Sequence, residues 1–144
     1  MKKRILTTIA LLSIAALSAN ALPPPEKDDM TMGELTQQIF NLDGKVIETK
    51  INAVFSFEQI NETQYRAYCR YYTGNSSLSG EYVLIPKEGK ELFEKMAARG
   101  SRGSTETVYF LVHSKKPVWV KGSYSYKLEA VGEKYRKSKG TYLW

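Results

Sequence analysis

Cysteine is nearly absent from this 144-residue chain. The single Cys69 cannot form an internal disulfide, and it excludes a CxxC redox pair and a cysteine-rich metal site. Histidine is equally scarce. His113 stands alone, so no cluster of His, Cys and carboxylate falls at metal-ligand spacing, and no metal is implied. Aspartate is thin: beyond Asp28 and Asp29, close to a proline run, there is only Asp43, in a turn before Gly44. The glutamates stand at solvated helix or strand positions, where an acid–base couple is hard to assemble. A phosphate-binding loop is missing too, because Gly100-Ser101-Arg102-Gly103 lacks the strand-to-helix context and reads as a flexible link. No internal repeat occurs, and no cofactor is implied. These absences weigh against an enzyme.

Long hydrophobic runs are missing with one exception. Met1, Lys2, Lys3 and Arg4 form a basic start, Ile5 to Leu17 are uncharged and rich in Leu, Ile and Ala, and Ala19-Asn20-Ala21 offers small residues where a signal peptidase reads. The apolar run is shorter than the ~20 residues of a membrane helix. Pro23-Pro24-Pro25 follows at once, and no helix continues through it. Residues 1–21 are therefore expected to be a cleaved secretory signal, which makes the protein periplasmic or secreted from a bacterial cell, with no integral membrane domain after cleavage. The competing reading is an uncleaved N-terminal anchor. Cleavage removes three basic residues and no acidic one, so the formal charge falls from +6 to +3. Such a mildly basic chain does not read as a nucleic-acid binder from its charge alone, but it leaves room for a local basic face.

Residues 22–30 combine three prolines with Glu26, Lys27, Asp28 and Asp29, and are expected to be a disordered spacer. One domain is expected over 31–132. Thr31 and Glu34 match a capping box at the start of a short helix, where Leu35, Ile39 and Leu42 recur at helical spacing before Asp43-Gly44. From Lys45 the period becomes two, with Ile47, Thr49, Ile51, Ala53, Phe55 and Phe57 on one face of a long strand. Tyr65 to Tyr72 and Glu81 to Ile85 are further strands. Lys87 to Arg99 turns helical with Leu92, Phe93, Met96 and Ala97 on one stripe, stopped by Gly100. Val108 to His113 is a fourth strand, and Val118 to Val131, interrupted at Gly122, a fifth strand or a hairpin. Residues 133–144 form a basic and aromatic C-terminal tail, read either as solvated with Trp144 tucked onto the domain or as a wrap around a ligand.

A long first strand, a helix between the third and fourth strands, five strands in all and the entry Leu42-Asp43-Gly44-Lys45-Val46-Ile47-Glu48 resemble small bacterial OB-fold domains, including those grouped as tRNA-anticodon-like. The resemblance covers roughly Asp43 to Val131 and rests on order and pattern. It implies a mainly β protein, a five-stranded OB-fold-like barrel with an added N-terminal helix, binding oligonucleotides, oligosaccharides or proteins on the face of strands two and three. An α+β curled antiparallel sheet is the alternative that the extra helix leaves open.

Arg66, Tyr68, Arg70 and Tyr72 carry the strongest functional signal. Period two puts all four side chains on one side of a strand, alternating guanidinium and phenol. Such a face suits an anionic polymer, a single-stranded nucleic acid or an acidic glycan, or else an envelope protein, because phenols stack and guanidinium adds charge. Its bland counterpart is a strand with Tyr for β propensity and Arg for solubility. Tyr82 extends this face if Val83 and Ile85 take the core instead. A small periplasmic enzyme using Cys69 or His113 is a second reading, and a structural or assembly protein a third. Cys69 alternates in phase with Ala67 on the inner side, where a thiol is usually inert, and His113 reads as a half-exposed strand-end residue.

Overall fold

A computed structural model describes residues 22–74, 79–100, 104–122 and 124–144. The expected signal segment lies outside the described residues. In chain order the elements are β1 (Pro25–Thr31), α1 (Met32–Gln38), a 3-10 turn (Ile39–Asn41), β2 (Val46–Ile51), β3 (Ala53–Gln59), β4 (Gln64–Arg70), β5 (Glu81–Pro86), a second 3-10 turn (Lys87–Gly89) and α2 (Lys90–Arg99). There follow β6 (Glu106–Val112), β7 (Val118–Trp119), β8 (Ser125–Tyr126), β9 (Leu128–Gly132), β10 (Lys134–Arg136) and β11 (Thr141–Leu143). The protein is mainly β. Seven strands form one mixed sheet in the order β1-β2-β6-β9-β5-β4-β3, and β7/β8 and β10/β11 are separate two-stranded ladders. β1/β2 and β5/β9 run parallel and the other neighbours antiparallel.

The sheet differs from the five-stranded OB-fold-like barrel expected from the sequence, and it is mixed rather than the purely antiparallel sheet of the alternative. Its ladder is not closed into a barrel, and it has seven strands for two reasons. The long first strand is divided at Asn52 into β2 and β3, which pair with β6 and β4 respectively. The other addition is β1, from the segment expected to be a disordered spacer. Two of its charges are matched across the edge, Glu26 by Lys45 at 3.4 Å and Asp29 by Lys50 at 2.8 Å, and charged side chains suit a sheet edge.

The core follows the alternation. In β4, Tyr65, Ala67 and Cys69 are buried, and Val83 and Ile85 face them from β5. α1 is set by the anticipated capping box: the Thr31 amide donates to Glu34 at 2.8 Å and the Glu34 amide to the Thr31 hydroxyl at 3.3 Å. It brings Met32 and Leu35 into the core, joined by Ile39 and Leu42. α2 buries Phe93 and Met96, while Leu92, expected in the same stripe, packs only partly buried at the margin. At Gly89 an added Cβ would lie 2.7 Å from the Trp144 ring, so a glycine lets the C-terminal residue approach this turn. Trp144 meets Phe93 edge-on with ring centroids 6.3 Å apart. The C-terminal tail is thus an ordered hairpin, and its Tyr142 hydroxyl donates to the Pro23 carbonyl at 2.5 Å.

Phe93→Ala should cost about 3–5 kcal/mol in denaturant unfolding, since a fully buried ring is lost. Leu92→Ala should cost clearly less. Equal losses, or a Phe93→Ala loss within a few tenths, would show that α2 is not docked through Phe93.

Candidate binding face

The residues between the buried positions of β4 point to the other side of the sheet. Register places them in cross-strand rows. Phe55, Tyr68 and Tyr82 are partners across β3, β4 and β5, and Glu58, Arg66 and Leu84 make the next row. Tyr68 and Tyr82 meet edge-on with centroids 5.1 Å apart. Tyr82 and Phe55 are each 41% exposed. Arg66, Tyr68 and Arg70 alternate with the buried residues of β4, and Tyr82 stands across from Tyr68 on β5. Tyr72 is not in the row. It lies past the end of β4, its backbone paired to the Asn52 side chain and its hydroxyl donating to the Gly74 carbonyl at 3.1 Å.

A second small apolar cluster builds one wall. Leu84, Val120 and Tyr126 are buried together, with Ile60 and Val118 against them. This cluster holds the β7/β8 hairpin on the outer side of β5, and Gly122 turns the hairpin at φ +76°. Tyr124 is thereby carried to Arg66, whose guanidinium lies 5.2 Å from the Tyr124 ring centroid and 5.4 Å from that of Tyr82. Arg66 also pairs with the Glu58 carboxylate and donates to the Tyr126 hydroxyl. The Arg70 guanidinium stands 6.0 Å over the Tyr68 ring. Close packing fixes these two: a Cβ at Gly80 would sit 2.4 Å from Arg70 Cγ and 2.8 Å from the Tyr68 ring.

Three adjoining hollows result. One of about 260 Å³ is lined by Glu58, Gln59, Ile60, Arg66, Gly122 and Tyr124. The next, about 390 Å³, shares Arg66 and Tyr124 and adds Glu81, Tyr82, Ser125 and Tyr126. A third, about 330 Å³, shares Tyr82 with it and is completed by Phe55, Ser56, Tyr68 and Arg70. Aromatic rings therefore divide one hollow from the next.

Phe55, Glu58 and Tyr124 escaped the sequence reading. Phe55 was placed inward by counting straight through the long strand. The alternation slips at Asn52, so Val54 opposite Cys69 turns inward and Phe55 outward. A bulge at Ser56, φ +53°, then returns Phe57 to the core side, stacked on Tyr65 at 5.5 Å. Glu58 had no sequence signal. Tyr124 had one, its alternation with Tyr126 beyond Gly122.

The catalytic alternatives are not brought together as a working site. Cys69 is fully buried, and burial pushes its thiol far above the ordinary range. His113 Nε2 lies 3.0 Å from Glu129 Oε1 on the adjacent strand. Asp43 is held below its ordinary range chiefly by the Lys115 amide, which donates to it at 2.9 Å, with the Ser114 hydroxyl assisting. Its work is to tie the turn before β2 to the segment after β6. Among the described residues no group of three or more His, Cys, Asp or Glu could hold a metal ion, and no helix is long and apolar enough to cross a membrane. Comparison with protein-family models, curated proteins and solved structures finds no match for this chain.

Glu81, cross-strand from Cys69, is pushed up by burial, against the pull of the Lys127 charge and of the Tyr82 amide. A raised carboxyl favours folding fully below the unfolded-state value, and this contribution is lost as pH rises through the folded one. Glu81→Gln should therefore gain stability relative to the parent as pH climbs through the weakly acidic range. Thermal melts of both proteins across that range test it, and a pH-independent difference would refute it.

Proposed function

We propose that this chain is an exported, non-catalytic, OB-fold-like binding module that lays a chain-shaped ligand along the outer side of β3, β4 and β5. The fold reading is supported by the order β2-β6-β9-β5-β4-β3, in which β2 and β3 are successive parts of one extended run, β5 and β9 are parallel, and α2 joins β5 to β6. An OB-fold barrel begins with such a shared strand and uses its second and third strands for binding. Fold analogy does not choose the ligand. The observation that carries the binding reading is the row of three hollows with Arg66, Tyr124 and Tyr82 as dividers. A row of ring-sized spaces suits a polymer of ring-bearing units, nucleic acid or glycan, better than a compact metabolite.

Export is part of the proposal. It rests on the basic, apolar and Ala19-Asn20-Ala21 pattern of residues 1–21. N-terminal sequencing of protein from fractionated cells should find Leu22 first, and recovery from the cytoplasm with Lys2 retained would sink the export reading.

Binding is tested by screening the protein from Leu22 onward against single-stranded DNA, RNA, acidic glycans and neutral glycans. Tyr82→Ala should weaken the best ligand by about 1–3 kcal/mol per lost stack, with the melting temperature held, because Tyr82 stands on an exposed face. No measurable binding to any polymer would overturn the module reading and leave an envelope-protein partner as the successor.

A further inference from the structure

Resting on that reading, we infer that the occupant of the three hollows is an uncharged or weakly charged glycan chain, held by aromatic planes and by the Glu58–Arg66 pair rather than by phosphate contacts. The charge balance of the lining decides this. The hollows present two arginines, Arg66 and Arg70, and two glutamates, Glu58 and Glu81. A single-stranded nucleic acid is held chiefly by cations that displace counterions from its phosphates. Arg66 is engaged by the Glu58 carboxylate, and any phosphate reaching Arg66 must approach that carboxylate as well. In the central hollow the only side chain of the Asp, Glu, Lys and Arg class besides Arg66 is acidic, Glu81.

For a polyhydroxylated ring the same groups work together. A carboxylate and a guanidinium side by side accept and donate to neighbouring hydroxyls, and charged partners make the stronger hydrogen bonds. Tyrosine rings offer an apolar plane and a polar tip to a sugar, which has an apolar face and polar edges. Tyr82 and Tyr124 are exposed enough to be covered in this way, at 41% and 72%. The hollow volumes sit near the lower end of the ~300–1,000 Å³ of ligand sites, so each suits one ring. Three consecutive units would fill the row.

Calorimetric titration of the protein from Leu22 onward separates the possibilities. The probes are the di-, tri- and tetrasaccharides of the cellulose and chitin series, a hyaluronan tetrasaccharide and an oligothymidylate, each at low and high salt. At least one uncharged series should bind, with affinity rising to the trisaccharide and level beyond it. Its affinity should change less than about twofold with salt, whereas two phosphate contacts would lose about 25-fold for a tenfold rise in salt. Tyr82→Ala should weaken the uncharged ligand about 5- to 150-fold. Tyr124→Ala, on the exposed hairpin, is the second variant should the first perturb the sheet. Glu58→Gln should weaken the glycan and strengthen any oligothymidylate binding. Steeply salt-dependent binding of oligothymidylate alone would overturn the glycan inference and keep the module. Glycan binding indifferent to both tyrosine variants would overturn the site. Binding of no probe would overturn inference and module together.

Discussion

The structure depends on one junction, Asn52. A single extended run has to serve two ladders, with β6 before the junction and with β4 after it. Its backbone groups would be left unpaired if the transition were loose, and unpaired backbone polar groups are costly when buried. Asn52 closes the account. Its amide donates to the Arg70 carbonyl at 3.3 Å, its side-chain Nδ2 donates to the Tyr72 carbonyl at 2.7 Å, and its Oδ1 accepts from the Tyr72 amide at 2.7 Å. The side chain thus stands in for a strand partner beyond the end of β4. With this clamp the register is set: Ala53 opposite Arg70, Val54 opposite Cys69 and Phe55 opposite Tyr68. The phase slip at the junction turns Phe55 outward, and the bulge at Ser56 leaves Glu58 opposite Arg66. The places of Phe55 and Glu58 on the candidate face therefore follow from how the chain passes Asn52.

The two ends of the described chain are placed away from the junction and meet at one hydrogen bond. β1 pairs with β2 along the sheet edge, and the β10/β11 hairpin reaches the residues just before β1 through the Tyr142 hydroxyl on Pro23. Tyr142 packs against Tyr109 and Tyr135 with centroids 5.4 and 4.8 Å apart, and Tyr109 donates to Glu48 on β2 at 2.9 Å. Burial pushes the Tyr109 hydroxyl up to about 12, so it stays a donor. Gly132 makes the approach possible, since a Cβ there would lie 2.9 Å from the Leu143 carbonyl. Composition points to a disordered spacer for the first segment, and for the second to a solvated tail with Trp144 tucked onto the domain or to a wrap around a ligand; of these the Trp144 contact is met, on Phe93. These stretches gain order by packing on the rest of the sheet: β1 pairs with β2, and the C-terminal hairpin lies against Tyr109 of β6 and Gly132 of β9, with Trp144 on Phe93.

Local periodicity made other parts legible. The alternation of Tyr65 to Arg70 predicted which side chains face out, because a strand that is buried on one side has a period fixed by its geometry. The Thr31 and Glu34 spacing predicted a capping box, as its two hydrogen bonds lie within one turn. The helical stripe of α2 was legible for Phe93 and Met96 and less so for Leu92, whose burial depends on what lies beyond the stripe. Tyr82 could not be phased from β5 alone, where Tyr82, Val83, Leu84 and Ile85 are all apolar or aromatic. Both sides of that strand are covered, Val83 and Ile85 by the main core and Leu84 by the hairpin cluster, so no alternation remained to read. Tyr124 belongs to the site only because that cluster folds the hairpin back.

The polar groups of the described residues divide into those that tie elements together and those that stand beside exposed rings. Catalysis at neutral pH needs a nucleophile or base kept accessible and activated by a partner. Here the one thiol is in the core, where burial disfavours the thiolate. The one imidazole is matched to Glu129, the Asp43 carboxylate is occupied by backbone and hydroxyl donors, and Arg99 joins α2 to β6 through Glu106 at 3.0 Å. These groups hold elements in place. The candidate face differs because its charges are combined with exposed aromatic surface: Arg66 is matched by Glu58 and still flanked by two rings that solvent reaches. A matched charge pair beside exposed rings offers directional hydrogen bonds and a plane, which is what recognition of a ring-bearing chain requires.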